Sequence, residues 1–178
     1  MTLVLRAACF VLSTISVGAF ATSAFAHAVL ERDHAPAGSF YKAVIGIPHG
    51  CAGTATHTIR VLMPDGVRQP KPMPKPGWSL ETRLEKLAAS YDWYGTTITE
   101  DVREIVWSGG SLRGDFYDEF VFMVKLPDTP GEILYFKTVQ TCENGEHRWV
   151  EVPEPGKTLG HDAEPAPSLT LTKPEASH

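Results

Sequence analysis

Positive charge, cysteine and the usual catalytic signatures are all scarce in this 178-residue chain. Sixteen Lys and Arg stand against 21 Asp and Glu, giving a net charge of −5. Nucleic-acid binding needs a basic stripe that displaces counterions from phosphate. The composition speaks against that class and suits cations or basic partners. No GxSxG, HExxH or glycine-rich phosphate loop occurs, which removes the standard grounds for proposing an enzyme. No two histidines stand in HxH or HxxxH spacing, so the local sequence assembles no multi-histidine site. Internal repeats and coiled-coil heptads are absent too.

The one long apolar run lies at the start. Arg6 precedes Ala7–Leu12, and the run continues to Ala19-Phe20-Ala21 before Ala24-Phe25-Ala26, a small-x-small cleavage pattern. This is the layout of a secretory signal over residues 1–26, favoured over a retained membrane span because it ends in a cleavage signature without a stop-transfer pattern. Cleavage removes Cys9 and Arg6, so the net charge moves from −5 to −6. What remains is long enough for one domain with its own core. Two cysteines stay, Cys51 and Cys142. An even pair in an oxidising compartment reads as a disulfide, worth roughly 4–5 kcal/mol for so long a loop. A thiolate metal site is the weaker alternative, because neither cysteine lies in a CxxC pair.

Fourteen prolines and fifteen glycines divide the chain into short apolar runs. That rhythm predicts an all-β sandwich or barrel. Strands are expected over 40–47, 56–63, 116–126 and 133–140, with turns at Pro64-Asp65-Gly66 and Asn144-Gly145. The Pro-rich stretch 70–77 reads as an extended edge. Leu84, Leu87, Ala88 and Tyr91 have helical spacing, but the β-branched residues beyond them favour a long hairpin turning near residues 89–96, and Ser108-Gly109-Gly110 reads as its end. Residues 27–152 form the expected domain. Residues 153–178 form a Pro- and Ala-rich tail with a short edge strand at 168–172.

The residues that could carry chemistry begin with His27. As the first residue of a processed chain it would own a free α-amine, and that nitrogen and ring Nδ1 would close a six-membered chelate. The amine titrates near pH 7.7–8.0, and Cu(II) stands highest among divalent first-row ions for such donors. The other histidines read as ordinary. His57 sits on a sheet face, His49 in a turn beside Cys51, and His147 after a hairpin turn, while His161 and His178 fall in the tail. In 114–120, Asp115, Asp118 and Glu119 gather among aromatics. A carboxylate there needs either a bound cation or a Lys or Arg partner, and both readings stay open.

The order of short motifs along the chain resembles the YcnI-like copper-binding proteins. They are His27-Ala28-Val29, Ala37-Gly38-Ser39-Phe40, Pro48-His49-Gly50-Cys51, Pro64-Asp65-Gly66-Val67, Pro74-Lys75-Pro76-Gly77-Trp78, Trp107-Ser108-Gly109-Gly110, Asp118-Glu119-Phe120, and Gln140-Thr141-Cys142-Glu143 followed by Trp149. The resemblance implies an immunoglobulin-like or cupredoxin-like β-sandwich, a single domain binding Cu(II) through an N-terminal histidine brace. It places His27 as the brace, Glu119 as the carboxylate with Asp118 its neighbour and rival, and Trp149 as the adjacent indole, with Trp107 competing. The cysteine pair marks a subgroup and is taken as independent of copper. His34 lies too far along a straight strand to join.

These readings converge on a periplasmic or secreted Cu(II)-binding protein in copper trafficking or homeostasis, not an enzyme, with another copper-handling envelope protein as partner. Two alternatives remain. A copper oxidase or oxygenase would need a second, internal histidine opposite His27. A metal-free structural sandwich would use Trp78, Trp107 and Trp149 as core alone.

Overall fold

The computed structural model describes residues 27–174, so the leader reading for 1–26 lies outside the described residues. Twelve strands appear among them: β1 (Val29–Leu30), β2 (His34–Pro36), β3 (Phe40–Ile47), β4 (Thr56–Leu62), β5 (Arg68–Pro72), β6 (Ser79–Trp93), β7 (Thr96–Leu112), β8 (Asp118–Lys125), β9 (Ile133–Tyr135), β10 (Thr138–Cys142), β11 (Glu146–Trp149) and β12 (Ser168–Thr172). They form three sheets, ordered β1-β3-β8-β5, β11-β10-β4-β7-β6 and β2-β12-β9.

Alternation along the strands decides which faces meet. On the first sheet Tyr41, Ala43, Ile45, Phe120, Phe122 and Val124 point inward. Ile59, Val61, Ile105 and Trp107 face them from the second, and all belong to one continuous core. Each fully buried large side chain stabilises by roughly 1.5–3 kcal/mol. Leu134, Leu169 and Leu171 of the third sheet join the same core.

The 84–91 segment is strand. The hairpin closes at Tyr94-Gly95, both with positive φ (49° and 85°) and flanked by the Trp93–Thr96 pair. This is a two-residue turn whose twist matches the strands. Three expectations are corrected. Ser108-Gly109-Gly110 does not end its strand, for β7 runs on to Leu112. Gly109 takes φ 73°, and Gly110 leaves room for Trp78, whose ring would lie 2.0 Å from an added Cβ. The 133–140 run splits into β9 and β10, because Phe136 turns to bond Pro167 while β10 joins another sheet. Finally, β12 is the centre of its sheet and not an edge, parallel to β2 and antiparallel to β9.

Candidate metal centre

His27 stands just ahead of β1, where Ala28 and Leu30 point into the core and Val29 outward. Its imidazole meets the Trp149 indole edge-on, with centroids 5.7 Å apart and planes at 66°. Nε2 of His27 is buried and has no hydrogen-bond partner. The residue also borders a surface depression lined by Asp33 and Pro165–Ser168. A buried imidazole nitrogen without a partner carries an unmet desolvation cost.

One side chain organises the surroundings. Gln140 is fully buried. Its Oε1 accepts the Trp149 Nε1–H at 3.1 Å, and its Nε2 donates to the His49 carbonyl at 2.6 Å and to Thr56 Oγ1 at 2.8 Å. A single amide therefore fixes both the indole and the Pro48–Gly50 turn. Gly50 is needed in that turn, since a Cβ there would lie 1.8 Å from the Thr54 carbonyl oxygen. The Cys51–Cys142 disulfide, Cα–Cα 5.8 Å, anchors the same turn to the end of β10. The bridge expected to be independent of the site thus ties down its walls.

That scaffold brings two further histidines to Trp149. His147 stacks on the indole at 4.9 Å with planes at 25°, and its Nδ1 lies 2.5 Å from Glu164 Oε1. His49 lies 5.5 Å from His147 and 6.3 Å from Trp149, ring centre to ring centre, and its Nδ1 is 2.7 Å from the Gly50 carbonyl. The sequence reading took both as ordinary, because no local spacing links them. One signal was available: His147 and Trp149, two apart on β11, share a strand face.

The Asp-Glu-Phe carboxylates are held by other partners. Glu119 is exposed on β8, and its Oε1 accepts the Tyr117 hydroxyl at 2.8 Å. Burial, then the Glu119 carboxylate, push the Tyr117 hydroxyl up to about 12. Asp118 pairs with Lys75 Nζ at 2.6 Å. Trp107 is a core residue, its Nε1–H on the Met73 carbonyl and its ring on Phe120. His57 Nε2 lies 2.9 Å from the Cys142 carbonyl oxygen, and the exposed His34 side chain pairs with Asp33 at the start of β2. Among the described residues, no group of three or more His, Cys, Asp or Glu side chains is arranged to hold a metal ion. What the structure gathers is His27, His49 and His147 around one indole, with Glu164 behind His147. Imidazole nitrogens of this kind suit copper and zinc.

A family model described as "Domain of unknown function (DUF1775)" matches residues 27–171. A crystal structure of an uncharacterized protein from Nocardia farcinica, described as revealing an immunoglobulin-like fold, is similar at 22% identity and a TM-score of 0.60. The likeness covers 82% of this chain and 98% of that one. At such identity it shows the fold, an immunoglobulin-like β-sandwich. No curated protein matches.

Proposed function

The chain belongs to the DUF1775 family, and from that premise we propose that it is an extracytoplasmic Cu(II)-binding protein that holds copper for delivery within the cell envelope. Copper is its cargo. Once Ala26–His27 is cut, the His27 amine and imidazole form the chelate, with Trp149 packed against it. The observation that carries the reading is the His27 ring held edge-on to Trp149 at the rim of a surface depression, at the position that the cleavage pattern would make the first residue. A site with few protein donors beside a surface depression keeps a position open, which suits ligand exchange with a partner protein.

The disulfide fits an oxidising compartment, and no helix among the described residues is long and apolar enough to cross a membrane. His49 and His147 near Trp149 favour one second reading, because an oxidase brace needs an internal imidazole. The two part on turnover: a carrier loaded with copper consumes no O2 catalytically when given a reductant. The test of the main reading is intact mass and metal content of the protein purified from the cell envelope. A first residue of His27 and one bound copper are expected. A different first residue, or copper-free protein from copper-fed cells, overturns it.

A further inference from the structure

We infer that the outer face of the β1-β3-β8-β5 sheet, at its Phe40 end, docks this protein on an anionic bilayer surface, with the tip of the β6–β7 hairpin as its aromatic anchor.

The strand register arranges the charges in rows. Phe40, Lys125 and Arg68 stand opposite one another across β3, β8 and β5, and Lys42, Met123 and Lys71 form the next row. Residues directly opposite share a face, and the alternating Tyr41 and Val124 fill the core, so these rows look outward. None of the four cations is ion-paired among the described residues. Against them stand Asp92, which accepts the Gly95 N–H in the hairpin turn, and Asp128, which lines a depression with Arg68 and Lys125. This end of the face thus keeps an excess of positive charge on a chain whose net charge is −5.

The hairpin adds the apolar part. Trp93 meets Phe40 edge-on at 6.3 Å and Tyr94 at 5.1 Å, and Tyr91 lies 6.4 Å from Trp93. Cations interleave with the rings, Lys125 Nζ 4.8 Å over Phe40 and the Arg68 guanidinium 4.7 Å over Tyr91. Phe40 is 56% exposed, Met123 42% and Tyr94 84%. Trp and Tyr settle at the headgroup level of a bilayer, and lysines beside them bury their stems while the ammonium stays in water. An acidic protein surface is the rival occupant. Three of the four cations are lysines, which protein interfaces deplete, and Tyr94 stands at a two-residue turn and not in a groove. Both features favour lipid.

The same face sets the orientation. Glu119 opposes Gly46, six residues along β3 from Phe40 and so about 20 Å away. Val29 pairs with Gly46 from the other side, and His27 lies beyond it. Docking through the Phe40 end leaves the Glu119 and His27 end facing solvent, open to a partner. No copper donor belongs to the docking face, so metal-free protein suffices to test it.

The experiment sediments the protein with vesicles of phosphatidylcholine, alone or with about one third phosphatidylglycerol. Binding is expected to the anionic vesicles only, fading as salt rises from about 0.05 to about 0.5 M. Lys42→Gln with Lys71→Gln should weaken it about 25-fold, at about fivefold per charge. Lys137→Gln with Lys157→Gln, an equal change of net charge on exposed residues elsewhere, should leave it unchanged. Lipids with brominated chains should quench Trp93, and Trp93→Phe should abolish the quenching, because Trp107 and Trp149 are buried and Trp78 packs on Phe120. Equal losses for the two lysine pairs, or quenching that survives Trp93→Phe, would overturn the proposal. Absence of binding to anionic vesicles would overturn it in favour of an acidic protein. The same outcomes leave the His27 reading intact, since that residue lies at the other end of the face.

Discussion

Removing the Cys51–Cys142 bridge should cost this domain a large part of its stability. The two cysteines are 91 residues apart. In the chain-entropy account, opening a loop of that length returns about 4.6 kcal/mol of freedom to the unfolded chain. For a domain of this size that corresponds to a fall in Tm of roughly 10–18 °C. The variant is Cys51→Ala with Cys142→Ala, which leaves no stray thiol, and reduced wild-type protein provides the comparison without truncation. Urea unfolding followed by tryptophan fluorescence and circular dichroism gives the free energy. The slope with denaturant should rise, because an uncrosslinked chain exposes more surface. Both sulfurs are nearly inaccessible, each cysteine being 4% exposed, so reduction should be slow until the protein unfolds. A loss below about 1 kcal/mol, in protein shown to be oxidised at the start, would refute the reasoning. It would mean that the unfolded chain is already constrained near residues 51 and 142.

Other predictions follow from individual contacts. Gln140→Leu strands the Trp149 indole N–H and the His49 carbonyl, so it should cost roughly 2–4 kcal/mol in urea melts and shift the Trp149 emission. Gly110→Ala drives a methyl into the Trp78 ring and should cost about 2–3 kcal/mol, measured by the same melts. Tyr41, buried with its hydroxyl on the Arg32 carbonyl, has its pKa pushed up to about 12 by burial. The unfolded chain ionises first, so stability is whole below about pH 10 and falls as pH rises towards 12. Tyr41→Phe should flatten that alkaline loss, at a cost of about 1 kcal/mol at neutral pH.

Much of the sandwich was legible because its strands end on residues with strong local rules. Strand β3 stops where Pro48 and Gly50 stop it, and the long hairpin turns where Gly95 allows positive φ. The misreadings share a cause. Gly109-Gly110 resembles a break in isolation, yet β4 and β6 both pair β7 at Ser108, β4 pairs it again at Leu112, and Trp78 fills the space that Gly110 leaves. Phe136 divides β9 from β10 through a bond to Pro167, which no local pattern announces. The tail strand became central only once β2 and β9 lay on either side of it.

The site divides the same way. The structure sets His27, singled out by the chemistry that cleavage would create, edge-on to Trp149, singled out by the resemblance. Glu119 was placed by motif position, but the register sets it opposite Gly46 with Tyr117 as its partner. His49 and His147 meet only because the disulfide and Gln140 join the end of β3 to the β10–β11 hairpin.

The central claim is that one peptide bond, Ala26–His27, separates an ordinary histidine from a copper ligand. Cu(II) affinity, measured by competition with a chelator of known strength, should be compared between the chain beginning at His27 and the chain beginning at Thr22. The account predicts binding at least a hundredfold tighter for the processed chain, and loss of that advantage when His27 is replaced by alanine as the first residue. Equal affinities for the two chains would contradict it.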